Sequence, residues 1–220
     1  MKTIDNSQVH LHLSSSRGVN ELTSGTSFHT FDPNNNLHSR SFKDIEKWHD
    51  LIIYPGKTQV FEIKAKSSVV IIPLVGQLKC RFNQQDLEIQ VEQILNLCFK
   101  EAQELRIENS YQENAINFLF IELKTICAPG HSIVNFKLGH NNLRVIPFKK
   151  GKLHIGEFEG RQEDDINFSE PSDLLIFIVQ GVFEVQERLL ETRDVLSLTD
   201  VSKLEFEALS HNGVILIAEL

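Results

Sequence analysis

Ser68-Val-Val-Ile-Ile-Pro-Leu-Val-Gly76-Gln-Leu-Lys-Cys80 and Asp173-Leu-Leu-Ile-Phe-Ile-Val-Gln-Gly181-Val-Phe-Glu-Val185 align without a gap at an offset of 105. Each begins with a short continuous apolar run, rich in β-branched residues or Phe, as suits a strand covered on both faces. A glycine follows each run at the same place, where a tight turn or close backbone approach favours it. Three further matches keep the order. Gln93–Leu97 aligns with Asp194–Leu198 at an offset of 101, Glu104–Glu108 with Lys203–Glu207 at 99, and Phe118–Leu123 with Ile215–Leu220 at 97. A preserved order with a shrinking offset is the pattern of one fold present twice, with shorter loops in the second copy.

The matched blocks read as β-structure. Leu87–Val91 and Lys203–Ala208 alternate polar and apolar residues, the period-2 signature of a half-buried strand. Only Lys43–Trp48 and Lys100–Leu105 offer room for a turn or two of helix. Many short strands with turn residues between them predict an all-β chain of two tandem barrels. Turn formers cluster at Pro129-Gly130 and Gly139-His-Asn-Asn142. The expected division is therefore 1–128, including a polar N-terminal arm, and 129–220. The arm carries Phe28 and Phe31 and is expected to pack.

Composition narrows the function. The 220 residues are 41% hydrophobic and 24% charged, with 22 Lys and Arg against 30 Asp and Glu and a formal net charge of −8. The densest basic patch is Lys149-Lys150-Gly151-Lys152, too small to hold a phosphate backbone, so nucleic acid is not an expected partner. The apolar runs Val69–Val75 and Leu174–Val179 are far shorter than the ~20 residues of a membrane helix, so no membrane partner is expected either. The first residues lack the apolar core of a secretory signal, which predicts a cytoplasmic protein. Cys80, Cys98 and Cys127 form no Cys-x-x-Cys pair and are expected to be reduced, mostly buried thiols.

A duplicated unit of strand, apolar strand ending in glycine, and two more strands resembles the cupin repeat (a jelly roll of the RmlC-like type). More narrowly, the chain resembles the pirin family of bicupins, which includes quercetin 2,3-dioxygenase-like proteins. The pieces that carry the resemblance are Phe28-His29-Thr30-Phe31 with Asp32-Pro33, Asp50–Gly56 and Ile72–Gly76. The resemblance implies one metal in the first barrel, Fe(II) or a similar divalent ion, held by a His-x-His pair and a later His-x-Glu. Counted back from Gly76, the first pair falls on Glu62 and Lys64; aligned on Tyr111, the second falls on Glu108 and Ser110. None of the four is histidine, and a protonated Lys64 has no lone pair to give. No metal cofactor is therefore expected. Because Phe61, Ile63 and Ala65 alternate with Glu62, Lys64 and Lys66, the polar set has two readings. It either faces inward as a salt bridge or faces water as ordinary surface.

His10-Leu-His12 is the only His-x-His in the chain. A third ligand could come from His29, His38 or His49, but no local carboxylate completes a familiar spacing, which favours a solvated arm. His140, His154 and His211 stand alone. The acidic run Glu157–Asp165 reads as a solvated loop, with weak calcium binding as the alternative. The expectation is a pirin-like bicupin with a degraded metal site and no catalytic residues, monomeric or a weak homodimer. It would bind a small molecule in the first barrel or act as an interaction module. The alternatives are a quercetinase-like metal-dependent oxygenase and a regulatory module with a protein partner.

Overall fold

The structure, a computed structural model, describes residues 9–33, 41–124, 128–148 and 151–220. The two glycines that anchor the sequence match lie in the left-handed region, Gly76 at φ 79° and Gly181 at φ 90°. Each ends a buried strand and starts the turn into the next. A Cβ on Gly76 would meet Ile116 Cγ2 at 2.9 Å, so the position needs glycine on both counts.

The strands run in order: β1 (Val9–His12), β2 (Gly18–Leu22), β3 (Gly25–Phe31), β4 (Ile45–Ile53), β5 (Thr58–Ile63), β6 (Ser67–Val75) and β7 (Leu78–Phe82). Then come β8 (Gln85–Ile89), β9 (Gln93–Phe99), β10 (Gln103–Glu108), β11 (Ile116–Leu123), β12 (Gly130–Asn135), β13 (Gly139–His140) and β14 (Arg144–Phe148). The last are β15 (Gly151–Phe158), β16 (Glu163–Gln180), β17 (Phe183–Val185), β18 (Arg188–Leu190), β19 (Val195–Ala208) and β20 (Gly213–Glu219).

One unit spans Arg17–Asn135. Its seven-stranded sheet, β12-β9-β6-β11-β4-β3-β2, faces the four-stranded sheet β5-β10-β7-β8. Their facing side chains form one core, among them Leu51, Ile71, Leu95, Leu105, Ile107 and Phe118. The other unit joins Phe136–Leu220 to the arm that ends at Ser16. Its sheet runs β13-β15-β20-β16-β19-β17-β18, with β1 on β19 and β14 on β15.

The order β9-β6-β11-β4 in the first barrel is repeated as β19-β16-β20-β15 in the second, so the duplication is one of topology. Continuous strands replace the breaks of the first copy. In β16 and β19, Glu163–Asn167 pairs with Lys203–Glu207 and Leu174–Phe177 with Val195–Leu198.

Four expectations change. The division at 128/129 moves, because β12 pairs with β9 of the first barrel while the N-terminal β1 pairs with β19 of the second. The helical expectation fails: Lys43–Trp48 leads into β4, whose Ile45 and Trp48 are both buried, and Lys100–Leu105 leads into β10. Burial of side chains on both faces outweighs a weak local preference for helix. The acidic run is not a loop throughout, since Glu163–Asp165 opens β16. Finally, Cys98 is disulfide-bonded, whereas Cys80 is free and buried. Cys127 lies outside the described residues. Among the described residues, no helix is long and apolar enough to cross a membrane.

Candidate functional site

A ligand pair of the His-x-His kind must project from one face of a strand into the barrel, because residues i and i+2 share a face. On β5 the inward residues are Phe61 and Ile63; on its antiparallel neighbour β10 they are Leu105 and Ile107. Leu105 lies opposite Phe61 in the register. Ile63, Leu105 and Ile107 are fully buried, and Phe61 stacks on Phe120 of β11 with ring centroids 4.4 Å apart. Four apolar side chains therefore fill the barrel interior between β5 and β10. They have no lone pair to give, and a metal ion does not fit there.

The positions reached by counting lie elsewhere. Glu62 and Lys64 are exposed, with Glu62 opposite Glu104. Glu108 is half-buried, and exposed Ser110 donates a 3.0 Å hydrogen bond to its Oε1. Glu108 pairs with Thr58, four residues along β5 from Glu62, or about 13 Å by strand rise. The fold brings none of these groups to a common point. The count back from Gly76 runs through the turn at Lys64–Lys66, where Lys66 is left-handed at φ 59°. A slip of one residue there exchanges the faces.

The first barrel keeps polar groups at another corner of its interior. On β4 the inward face reads Lys47, His49, Leu51, Ile53; on β11 it reads Phe118, Phe120, Glu122. His49 lies opposite His29 of β3, and the two rings stack at 4.0 Å with 10° between their planes. Asp32, just past the end of β3, turns Oδ2 toward both rings. That oxygen lies 3.4 Å from His29 Nδ1 and 3.1 Å from His49 Nε2. His29 Nε2 and Ser27 Oγ share a hydrogen bond of 2.8 Å, which fixes the ring. All three residues are buried, and their ligand atoms lie within 4.8 Å of one another. Beside them, Lys47 Nζ contacts the wholly buried Glu122 carboxylate at 2.5 Å.

The second barrel repeats part of this corner. Lys152 and His154 on β15 stand at the offset of 105 from Lys47 and His49, and Glu219 on β20 at 97 from Glu122. The registers agree: Lys152 lies opposite Glu219 and His154 opposite Ile217, as Lys47 lies opposite Glu122 and His49 opposite Phe120. His154 Nε2 donates to Glu219 Oε2 at 2.9 Å, and Lys152 Nζ is 3.5 Å from Oε1 of the same carboxylate. The strand neighbour of His154 is the exposed Val145, where the first barrel has His29.

Two further places were singled out by sequence. His10 and His12 lie on β1, and His12 Nε2 is 3.3 Å from Ser197 Oγ. His38 lies outside the described residues. An open cavity of about 560 Å³ in the second barrel is lined by Glu163, Asp165, Glu184, Glu187 and Glu205. Lys203 contacts Asp165 and Glu205 at 2.9 and 2.7 Å, and these pairs raise the ammonium above its usual range. In the first barrel, burial alone pushes the Cys80 thiol up to about 12, which makes it an inert core residue.

Sequence reading named His29, His49 and Asp32 but did not join them. The missed signal was Lys47-Trp-His49 with Glu122, repeated as Lys152-Leu-His154 with Glu219.

No protein-family model and no curated protein matches the sequence. Solved structures match the fold. YhhW from Escherichia coli superposes with a TM-score of 0.84 at 14% identity, covering 96% of this chain and 97% of that one. The bacterial pirin YhhW in complex with nickel(II) gives 0.81 at 13%, covering 96% and 98%. Quercetin 2,3-dioxygenase from Acinetobacter baumannii gives 0.74 at 10%, covering 96% and 85%. The chain therefore has the bicupin fold of pirin and quercetinase structures.

Proposed function

We propose that this chain, built on the bicupin scaffold of pirins and quercetinases, is a non-catalytic member of that structural group acting through its surface as an interaction module. The observation that carries the reading is the apolar set Phe61, Ile63, Leu105 and Ile107 on the inward faces of β5 and β10. An oxygenase of the quercetinase kind needs a metal with open positions and room for a substrate beside it. Here the Phe61–Phe120 stack occupies that room. The same filling argues against a small molecule seated at this place.

The test is oxygen uptake with a flavonol on protein supplied in turn with Fe(II), Ni(II) and Cu(II). Uptake at the rate of the metal solution alone is expected. Metal-dependent flavonol cleavage by the protein, lost on chelation, overturns the reading.

A further inference from the structure

We infer that His29, Asp32 and His49 form a closed binding site for one divalent transition cation of the zinc, nickel or cobalt class. The site is distinct from the place on β5 and β10 where the resemblance puts the family's metal. Two imidazoles and one carboxylate are the donor set these borderline cations prefer.

The Asp32 distances fit a shared cation, and ligation requires the two rings, stacked at 4.0 Å with 10° between their planes, to turn until both in-plane lone pairs meet at one point. In a tetrahedral site with metal–ligand bonds of ~2.0–2.1 Å, neighbouring donor atoms stand about 3.3 Å apart. The Asp32 Oδ2 separations from His29 Nδ1 and His49 Nε2 are 3.4 and 3.1 Å. A charge-assisted hydrogen bond to a carboxylate is shorter, ~2.7–2.9 Å. His49 is 7% exposed, and its Nε2 makes no aligned hydrogen bond despite the nearby carboxylate oxygen.

The second barrel supplies the internal comparison. His154 occupies the same position in the repeat, lacks a histidine neighbour on the next strand, and makes an aligned 2.9 Å hydrogen bond to Glu219. The repeat thus shows what this histidine does with a carboxylate alone. In the first barrel, with His29 and Asp32 present, its Nε2 lies 3.1 Å from Asp32 Oδ2 without an aligned hydrogen bond.

Ser27 completes the arrangement. Its 2.8 Å contact to His29 Nε2 leaves Nδ1 as the nitrogen facing Asp32, as second-sphere partners of ligating imidazoles do. Burial of all three residues indicates an ion that ties β3, the segment after it and β4 together, rather than one that handles a substrate. Nothing here depends on whether a flavonol is turned over.

The test is titration of metal-free full-length protein with Co²⁺, read by calorimetry and by the visible d–d bands of the ion, with Zn²⁺ as competitor. One equivalent with the intense bands of low-coordinate cobalt is expected. His49→Gln should weaken binding at least 100-fold, and Ser27→Ala 10–100-fold. His154→Gln should leave the affinity unchanged. Failure of the folded wild-type chain to bind Co²⁺ or Zn²⁺ overturns the inference, as does binding that survives both His49→Gln and Ser27→Ala. Should His49→Gln fail to fold, the wild-type titration and Ser27→Ala still decide.

Discussion

Phe61→Ala tests the inward alternation on β5 directly. Truncating a fully buried Phe costs ~3–5 kcal/mol. Phe61 is half-buried but stacks on Phe120 at 4.4 Å, and such stacks add ~0.5–1.5 kcal/mol beyond area burial. The expected loss is about 2–3 kcal/mol. Glu62→Ala, one residue on and on the exposed face, should change stability by less than ~0.5 kcal/mol. The assay is equilibrium urea unfolding followed by the fluorescence of Trp48, the single tryptophan of the chain, buried in β4 of the same unit. With a urea slope of ~2–3 kcal/mol/M, Phe61→Ala should lower the midpoint by about 1 M. A larger loss for Glu62→Ala than for Phe61→Ala would refute the assignment of faces. The exclusion of a metal ion from the interior between β5 and β10 would fall with it.

Four further outcomes follow from the structure. Lys47→Met strands the wholly buried Glu122 carboxylate and should cost ~3–5 kcal/mol, with most of it recovered in Lys47→Met/Glu122→Leu. Lys152→Met, at the equivalent but half-exposed pair, should cost under ~1 kcal/mol by the same urea assay. Gly76→Ala should lose ~1–3 kcal/mol in thermal unfolding, since it forces an L-residue to φ 79° against Ile116; a neutral result would place the strain elsewhere. Cys80 gives a pH signature. Its thiol stays protonated in the fold up to about 12, whereas in the unfolded chain it ionises near the ordinary 9.0. That contribution is therefore full below pH 9 and is lost as pH rises toward 12, at up to ~1.4 kcal/mol per pH unit. Urea midpoints of wild type and Cys80→Ala should converge between pH 9 and 11, and parallel pH curves would contradict it.

Strand content and duplication were legible because they rest on short-range patterns. The runs before Gly76 and Gly181 need cover on both faces, and the glycines need φ values of 79° and 90°. The site was not legible in the same way. The part implied by the resemblance depends on which of two alternating sets points inward, and a count across Lys64–Lys66 cannot fix that parity once the turn gains or loses a residue. Its other part joins His29, Asp32 and His49 from two strands and the end of one of them, a register that no sequence spacing records. The room for a helical turn at Lys43–Trp48 is taken by strand instead, because Ile45 and Trp48 are buried on the two faces of β4.

The two barrels together separate what the fold requires from what one copy has added. Both contain a Lys-x-His strand beside a strand bearing Glu, in the same register, so that element belongs to the repeat. In the second barrel it closes on itself, because Glu219 receives both Lys152 and His154. In the first, Lys47 alone takes Glu122, and His49 is left to groups that only this copy possesses. Those groups come from β3 and the segment just after it, and the counterpart strand β14 presents the exposed Val145 in place of His29. A purely structural role for the histidine would have been met by the carboxylate that the repeat already supplies. The contact of His49 with a second imidazole and a second carboxylate is therefore specific to the first barrel. It lies on β3, the segment after it and β4, away from the apolar faces of β5 and β10.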